Sequence, residues 1–261
     1  MTRLQIIGGG KMGQALAGGL VAAGWAPAGE LTVVDIDDDQ RSAVAAAVAG
    51  VVVSDRPVPS VDTVVAVKPH LVESVCRSLE GPTRVLSIAA GITIEAIESA
   101  VAAGVPVVRA MPNTPALVGA GASAVAPGTA ATADDIEWAV GVLGAVGEAV
   151  VVSEGLIDAV TGLSGSGPAY VFLVAEALID AGVSAGLPAD IATTLAQQTL
   201  FGAAKLLVES PSSAAELRAG VTTPAGTTAA GLRVLEQRAT RAALIDAVHA
   251  ATERSRQLGA R

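Results

Sequence analysis

Leu4-Gln5-Ile6-Ile7-Gly8-Gly9-Gly10-Lys11-Met12-Gly13 is the stretch on which the fold of this chain turns. A short apolar run leads into Gly-x-Gly-x-x-Gly, and a helical pattern, Met12–Ala23, follows. Strand, glycine turn and helix in that order form the phosphate-binding start of a dinucleotide fold. Gly8 suits the tight turn, Gly10 the close approach of a diphosphate, and Gly13 the contact between helix and strand. Lys11 and Met12 lie within the motif, at the opening of that helix. Asp35 closes the second strand, 22 residues past Gly13. An acid there accepts hydrogen bonds from the adenosine ribose hydroxyls and repels the extra phosphate of NADP. Ile36 and Asp37–Asp39 follow, with Arg41 as the nearest cation. The cofactor expected is NAD(P)H, leaning to NADH.

Working outward, short Val/Ile runs alternate with Ala-rich helical patterns through the first half, which argues for a parallel sheet with crossover helices. Strands are expected at Leu4–Ile7, Leu31–Asp35, Val51–Val53, Thr63–Val67, Arg84–Ile88, Val105–Arg109, Ser123–Ala126 and Ala149–Val152. Helices are expected at Gln40–Ala49, Ile94–Ala102 and Ala133–Val146 between them. Beyond residue 153 only helical patterns remain: Gly155–Leu163, Ala169–Ala181, Ala189–Glu209, Ala214–Ala219, Gly226–Gln237 and Thr240–Leu258. The expected fold class is an α/β N-terminal Rossmann-type domain, residues 1–152, followed by an all-α C-terminal dimerisation domain, residues 153–261. The latter also binds substrate. Thr193–Leu207 holds one charge, Lys205. A helix so apolar on most faces needs burial on most sides. A second domain this small cannot supply it, so a homodimer with intertwined helices is expected.

Composition narrows the function. The chain has 261 residues, half of them apolar but only 2% aromatic, so the core must be built from small aliphatic side chains. A net charge of −9 without a basic cluster speaks against nucleic acid. Cys76 is the only cysteine, which excludes an internal disulfide and fits a reducing compartment. No run of about 18 apolar residues is free of charge or Gly/Pro breaks, and the first residues pass directly into a strand. No membrane partner and no signal peptide are expected; the location expected is cytoplasmic.

Three further segments follow expected strands and should converge on the crevice at the strands' carboxyl ends. They contain Ala66-Val67-Lys68-Pro69, Ala89-Ala90-Gly91 and Arg109–Pro115. Ala66, Val67, Lys68, Pro69, Ala90, Gly91 and Asn113 are therefore cofactor-binding candidates, with Lys68 and Asn113 suited to the ribose or nicotinamide. Lys68 reads equally well as a solvated loop lysine and Asn113 as a turn residue. At the far end, Thr222-Thr223-Pro224-Ala225-Gly226-Thr227-Thr228-Ala229-Ala230-Gly231 places hydroxyl pairs around a turn that opens onto a helix. Pro224 suits the first helical turn, with Thr223 as its cap. The free amides of Gly226, Thr227 and Thr228 would then seat a carboxylate.

With these segments in view, the chain resembles the pyrroline-5-carboxylate reductase family over essentially its whole length. The resemblance rests on Gly8–Gly13, Ala66–Pro69, Ala89–Thr93, Arg109–Ala116, Asp158–Tyr170, Asp180–Val183 and Thr222–Gly231. It implies a Rossmann domain plus a helical dimerisation domain, dimers that often assemble into rings of five, and the last step of proline biosynthesis. It implies that the carboxylate of 1-pyrroline-5-carboxylate or L-proline sits on the amides of Thr227 and Thr228. Thr223 would add a hydroxyl bond, and the Thr228 hydroxyl would face the ring nitrogen as the catalytic contact. The family more often has Ser-Pro-Gly-Gly where this chain has Thr223-Pro224-Ala225-Gly226. Ala225 fits only with an ordinary negative φ. Where the family often has His-Pro this chain has Ser213-Ala214, and where many bacterial relatives place an arginine just after the second strand it has Ile36.

The implied reaction moves a hydride from nicotinamide C4 to the imine carbon. A protonated imine is already electrophilic and needs no strong acid. The chain agrees: its histidines are His70, by the cofactor loop, and His249, on the last helix. No cysteine–histidine cluster suggests a metal. Lys205 reads as a snorkelling side chain, Ser166 as a helix cap and Tyr170 as a core residue. A hydroxyacid dehydrogenase would need a lysine on the Pro168–Ala181 helix, which has none. A non-catalytic dinucleotide sensor would have no use for the amide-rich turn.

Overall fold

The structure is a computed structural model that describes residues 1–259. All eight expected strands form: β1 Leu4–Ile7, β2 Leu31–Val34, β3 Val52–Ser54, β4 Asp62–Val65, β5 Val85–Ser87, β6 Val107–Met111, β7 Gly121–Pro127 and β8 Gly147–Val151. They build one sheet in the order β3-β2-β1-β4-β5-β6-β7-β8. Every pairing is parallel except β6 with β7, which is antiparallel. The reversal has a simple cause. Only a 3₁₀ turn, Thr114–Val118, joins β6 to β7, and a parallel crossover needs a longer connection. Helices α1 Lys11–Ala22, α2 Asp38–Ala47, α3 Val72–Ser78, α4 Ile94–Glu98 and α5 Ala133–Gly144 fill the other gaps except that between β3 and β4, which a loop spans. α3 was not among the expected helices. α4 is shorter than its pattern because Ser99 turns its hydroxyl back onto Glu95 O and Ala100 N bonds to Ile97 O.

β1 and β2 are buried along their whole length, as strands covered on both faces should be. Leu4, Ile6, Leu16, Leu20, Leu31, Val33, Leu86 and Leu143 make the core with Trp138, and the partly buried Trp25 packs against it. Gln5 is buried in β1 but fully engaged: Nε2 donates to Val58 O and Thr63 Oγ1, and Oε1 accepts from Val58 N.

A charged knot closes the opposite end of the sheet from the glycine loop. Arg84 pairs with Asp62 at 2.9 Å and Asp135 at 3.5 Å, and its guanidinium lies 4.6 Å from the Trp138 ring centroid. Asp135 also closes the capping box of α5 with Thr132. Burial pushes the Asp135 carboxyl up, but the Thr132 hydroxyl and amide and the Arg84 guanidinium together hold it below its ordinary value. A depressed carboxylate stabilises the fold above its unfolded pKa and loses that contribution as the pH falls. Asp135→Asn should therefore destabilise the protein by about 1–3 kcal/mol near neutrality. The gap from the parent should close as the pH falls below about 4. Urea titrations at pH 7 and pH 3.5 measure both.

The helical second half follows as expected, with two differences. The run begins with a 3₁₀ turn, Glu154–Leu156, then α6 Ile157–Val160, a π turn Thr161–Gly165 and α7 Gly167–Ser184. Ser166 is accordingly not a separate helix cap. It lies at φ −86°, ψ −20° inside one continuous winding, and its amide donates to Thr161 O. Glu154–Ser184 is therefore long and apolar enough, by length and composition alone, to cross a membrane. Gly162 and Gly165, which break the run as sequence, do not break it as helix because they lie in the π turn, and Pro168 falls in the first turn of α7, where its missing amide hydrogen costs no helical bond. The remaining helices are α8 Ala189–Glu209, α9 Ala214–Gly220, α10 Thr227–Gln237 and α11 Thr240–Gly259.

Two compact units emerge: Met1–Ser166 with the chain from Val248 onward, and Gly167–Ala247. In the first, Gly162 takes the end of α11 closely, since a Cβ there would run into Thr252 and Val248 O. Ser255 Oγ donates to Asp158 at 2.6 Å. In the second, α7 and α8 pack through Gly182 and Ala192. Its only buried apolar residues among those described are Ala192 and Ala196. Phe172, Leu173 and Phe201 are each more than 60% exposed, so this unit has almost no core of its own.

Candidate functional site

The glycine loop is shaped by three different demands. Gly8 has φ +114°, and a Cβ on it would lie 2.7 Å from Ala66 O. Gly13 packs its Cα directly on the Gly8 carbonyl oxygen, leaving no volume for a methyl. Gly10 is the cap residue of α1, and a Cβ on it would meet nothing within 4 Å. The space above Gly10 is free for a ligand. α1 has no side-chain cap and no acid in its first turn. The amides of Lys11, Met12 and Gly13 precede the first intrahelical bond, Gln14 N to Gly10 O. Gln14 Nε2 steadies the loop by donating to Gly9 O at 2.8 Å.

A cavity of about 660 Å³ opens beside this loop, large enough to take much of a dinucleotide. Gly8, Gly10, Asp35, Ala66, Val67 and Lys68 line it, together with Ile36, Asp37, Asp55 and His70. Asp35 Oδ2 accepts from Gly9 N at 2.8 Å and Oδ1 from Asp37 N at 3.0 Å. Its remaining lone pairs are available to a diol, so the residues fit an adenosine ribose and diphosphate. The wall opposite Asp35 comes from α3 and the 3₁₀ turn Pro69–Leu71: Leu71, Ser74, Val75 and Ser78. Sequence reasoning missed these, although their spacing of three and four residues is a helical face.

Other expected contacts lie elsewhere. Lys11, Met12, Gly13, Pro69, Ala90, Gly91 and Asn113 do not line the cavity. Met12 packs on the core. Gly91, at φ +75°, lies against Leu258 of α11. Asn113 is 9% exposed; its Nδ2 donates to Ser164 O at 3.0 Å and its Oδ1 accepts from Ala122 N at 2.9 Å. Both polar ends of Asn113 thus tie β7 to the π turn. Beside it, Arg109 is buried against Glu154 at 2.9 Å, and Glu154 also accepts from Ile94 N.

In the second unit the Thr223–Gly226 segment differs from the sequence expectation. Pro224 does not open the helix and Thr223 does not cap it. Thr223–Gly226 is a tight turn in which Gly226 N donates to Thr223 O at 3.0 Å, and α10 starts three residues later with Gly226 as cap. The Gly226 amide is therefore used internally. Those of Thr227, Thr228 and Ala229 precede the first intrahelical bond, Ala230 N to Gly226 O. The turn forces Ala225 to φ +59°, not the negative value alanine prefers. Ala225→Gly should raise stability by about 1 kcal/mol, since glycine adopts this conformation without strain. Thermal unfolding measures it; a loss of stability would contradict the geometry. Just upstream, Ser213 and Glu216 form a capping box on α9, where the resembled family has His-Pro. The Ser213 amide and hydroxyl hold the Glu216 carboxyl below its ordinary value.

Residues 154–258 match the family model described as pyrroline-5-carboxylate reductase dimerisation, and residues 3–91 match NADP oxidoreductase coenzyme F420-dependent. The chain is 41% identical to a pyrroline-5-carboxylate reductase of Corynebacterium melassecola, covering 99% of both chains. It is 43% identical to one of Mycobacterium tuberculosis, covering 99% of this chain and 97% of that one. A solved pyrroline-5-carboxylate reductase from Coxiella burnetii superposes with a TM-score of 0.90 at 34% identity over 98% of each chain. One from Plasmodium falciparum, with NADP bound, gives 0.82 at 29% identity, covering 99% and 98%.

Proposed function

The chain belongs to the pyrroline-5-carboxylate reductase family, and from that membership we infer how its own residues reduce 1-pyrroline-5-carboxylate to L-proline. It is an NAD(P)H-dependent oxidoreductase acting on a cyclic imine. When bound, the dinucleotide supplies the hydride. Gly8, Gly10 and the amides of Lys11, Met12 and Gly13 hold the diphosphate, and Asp35 the ribose. Ala66, Val67 and Lys68 line the cavity toward the nicotinamide, while Pro69, Ala90, Gly91 and Asn113, which do not line it, act by holding the backbone around it. The substrate carboxylate sits on the amides of Thr227 and Thr228, where the helix dipole favours an anion. Gly226 contributes shape, because a Cβ there would run into the Thr223 hydroxyl. Thr223 adds a hydroxyl bond, and Thr228 Oγ1 accepts from the iminium N–H, which orients the ring without an acid catalyst. The uncapped start of α10 is the observation that carries this reading.

The cofactor preference we assign is NADH. Asp35 and the exposed Asp37–Asp39 surround the ribose end with negative charge. A coupled assay tests both points: NADH and pyrroline carboxylate should give NAD and proline, faster than with NADPH. No proline from either cofactor would refute the function; a faster rate with NADPH would refute the preference alone.

The chain forms oligomers, and we propose an intertwined homodimer, assembled further into a ring of five dimers. The bare faces of α7 and α8, within the match to the dimerisation family, support the dimer. Size measurement in solution should find no particle of the monomer mass, 25.6 kDa. We assign dinucleotide binding to residues 1–152 and substrate binding and dimerisation to 153–261, a division of roles at the end of β8 that differs from the two compact units, which part after Ser166 and return the chain from Val248 to the first. We place the enzyme in the cytoplasm. Cys76 is buried, and burial pushes its thiol up to about 11, too high for ready redox chemistry at neutral pH.

A further inference from the structure

Arg41 takes no part in the chemistry above, yet it sits where the identity of the cofactor is read. We propose that Arg41 is a positioning residue for Asp35, and that Asp38 keeps its guanidinium out of the cavity. Together they set a preference for NADH over NADPH. The inference rests on Asp35 being the ribose contact.

Arg41 is the fourth residue of α2. A cation in a first turn faces the positive end of the helix dipole, so its place needs another source of stability. Two contacts supply it. One guanidinium nitrogen, Nη1, donates to the Asp35 carbonyl at 2.6 Å. The other, Nη2, is ion-paired with the Asp38 carboxylate. The side chain is only 20% exposed, and Arg41 does not line the cavity although Ile36, Asp37 and Gln40 around it do.

Asp35 is thereby anchored from four directions. Its amide donates to Ser54 O at the end of β3. Its carboxylate takes the Gly9 and Asp37 amides. Its carbonyl is held by Arg41. Removing Arg41 frees the peptide between Asp35 and Ile36 to rotate, and that rotation moves the Asp37 amide, one of the two donors that aim the carboxylate. A guanidinium is also the natural partner of a phosphate monoester. Here it is neutralised on the far side of the turn, and Ile36, 89% exposed on the cavity side, offers no charge in its place.

Steady-state rates of the full-length protein with both cofactors test the proposal. Arg41→Ala should raise KM for NADH about tenfold, the size of one lost charged hydrogen bond. The turnover number at saturation should stay within about twofold, because the reacting atoms are untouched. Arg41→Lys, which keeps the charge but not the fork, should recover part of the loss. Asp38→Asn should lower KM for NADPH about fivefold, as the released guanidinium gains a charged phosphate contact. An unchanged KM for NADH in Arg41→Ala, shown folded by circular dichroism, overturns the positioning role. An unchanged KM for NADPH in Asp38→Asn overturns the restraint, and that variant stands on its own if Arg41→Ala does not fold. A parent enzyme that prefers NADPH would instead sink the reading of Asp35.

Discussion

Gly13→Ala should cost this protein both its stability and its cofactor. The added methyl would overlap the Gly8 carbonyl oxygen. Gly8 cannot yield, because its amide is bonded to Val34 O at 2.8 Å and its other side is pressed against Ala66 O. The first turn of α1 must lift from β1 instead. Overpacking of this kind costs about 1–3 kcal/mol. A shift of about 1 Å in the diphosphate-binding amides should lower kcat/KM about a hundredfold. Gly10→Ala is the control. Its Cβ meets no protein atom and its φ of −67° suits alanine, so stability should hold while KM for the cofactor rises. Thermal unfolding and NADH titration separate the two variants. Equal behaviour of both would refute the packing argument for Gly13.

Thr228→Ala should strike turnover and spare the cofactor. Thr228 is the second residue of α10 and is exposed on an uncapped helix start, so losing its hydroxyl removes no structural bond. The amide that seats the carboxylate remains. The lost contact is one hydrogen bond to a charged iminium, which amounts to about 1.5–3 kcal/mol, or ten- to a hundredfold in kcat. KM for NADH should not move, and Thr228→Ser should restore most of the rate. If kcat in the alanine variant equals that of the parent, Thr228 is not at the reacting nitrogen.

The first unit was largely legible in advance because its signals are local. A strand buried on both faces reads as a short apolar, Val/Ile/Leu-rich run wherever it lies, and β1, β2, β4, β5 and β6 read so although each carries a polar residue, Gln5 in β1 and Thr32 in β2 among them. The glycine spacing at Gly8–Gly13 was equally direct, since each glycine answers a steric demand within its own turn or the adjoining strand. The helical boundaries after residue 153 were nearly right for the same reason. α3 escaped notice although Leu71, Ser74, Val75 and Ser78 show helical spacing, and with the 3₁₀ turn before it this short helix supplies a wall of the cavity.

The pattern Gly226–Gln237 gave α10 to within a residue, but the cap assigned to Thr223 and the first turn assigned to Pro224 were misplaced for an instructive reason. Thr-Pro is a strong cap-and-first-turn signal, but the same dipeptide also begins a tight turn, and Gly226 chose between them. The Gly226 amide bonds back to Thr223 O, which moves the helix start three residues on and puts Ala225 at a positive φ. One premise about breaks did not hold: Gly162 and Gly165 look like helix breaks in the sequence, but a π turn carries the winding through them, and Pro168 falls in the first turn of α7.

By itself, then, the order of residues determined the Rossmann sheet, the glycine loop, the acid at Asp35, the helical second half and the family. These follow from periodicity and from steric limits that act over a few bonds. The tertiary structure alone decided which polar groups remain free to meet a ligand. Asn113 is consumed by Ser164 and Ala122, and Arg41 by Asp35 and Asp38, while Asp35 keeps lone pairs facing the cavity. A buried donor or acceptor takes whatever partner the fold brings within about 3 Å. That partner can stand 51 residues away, as Ser164 does from Asn113, beyond the reach of any local pattern.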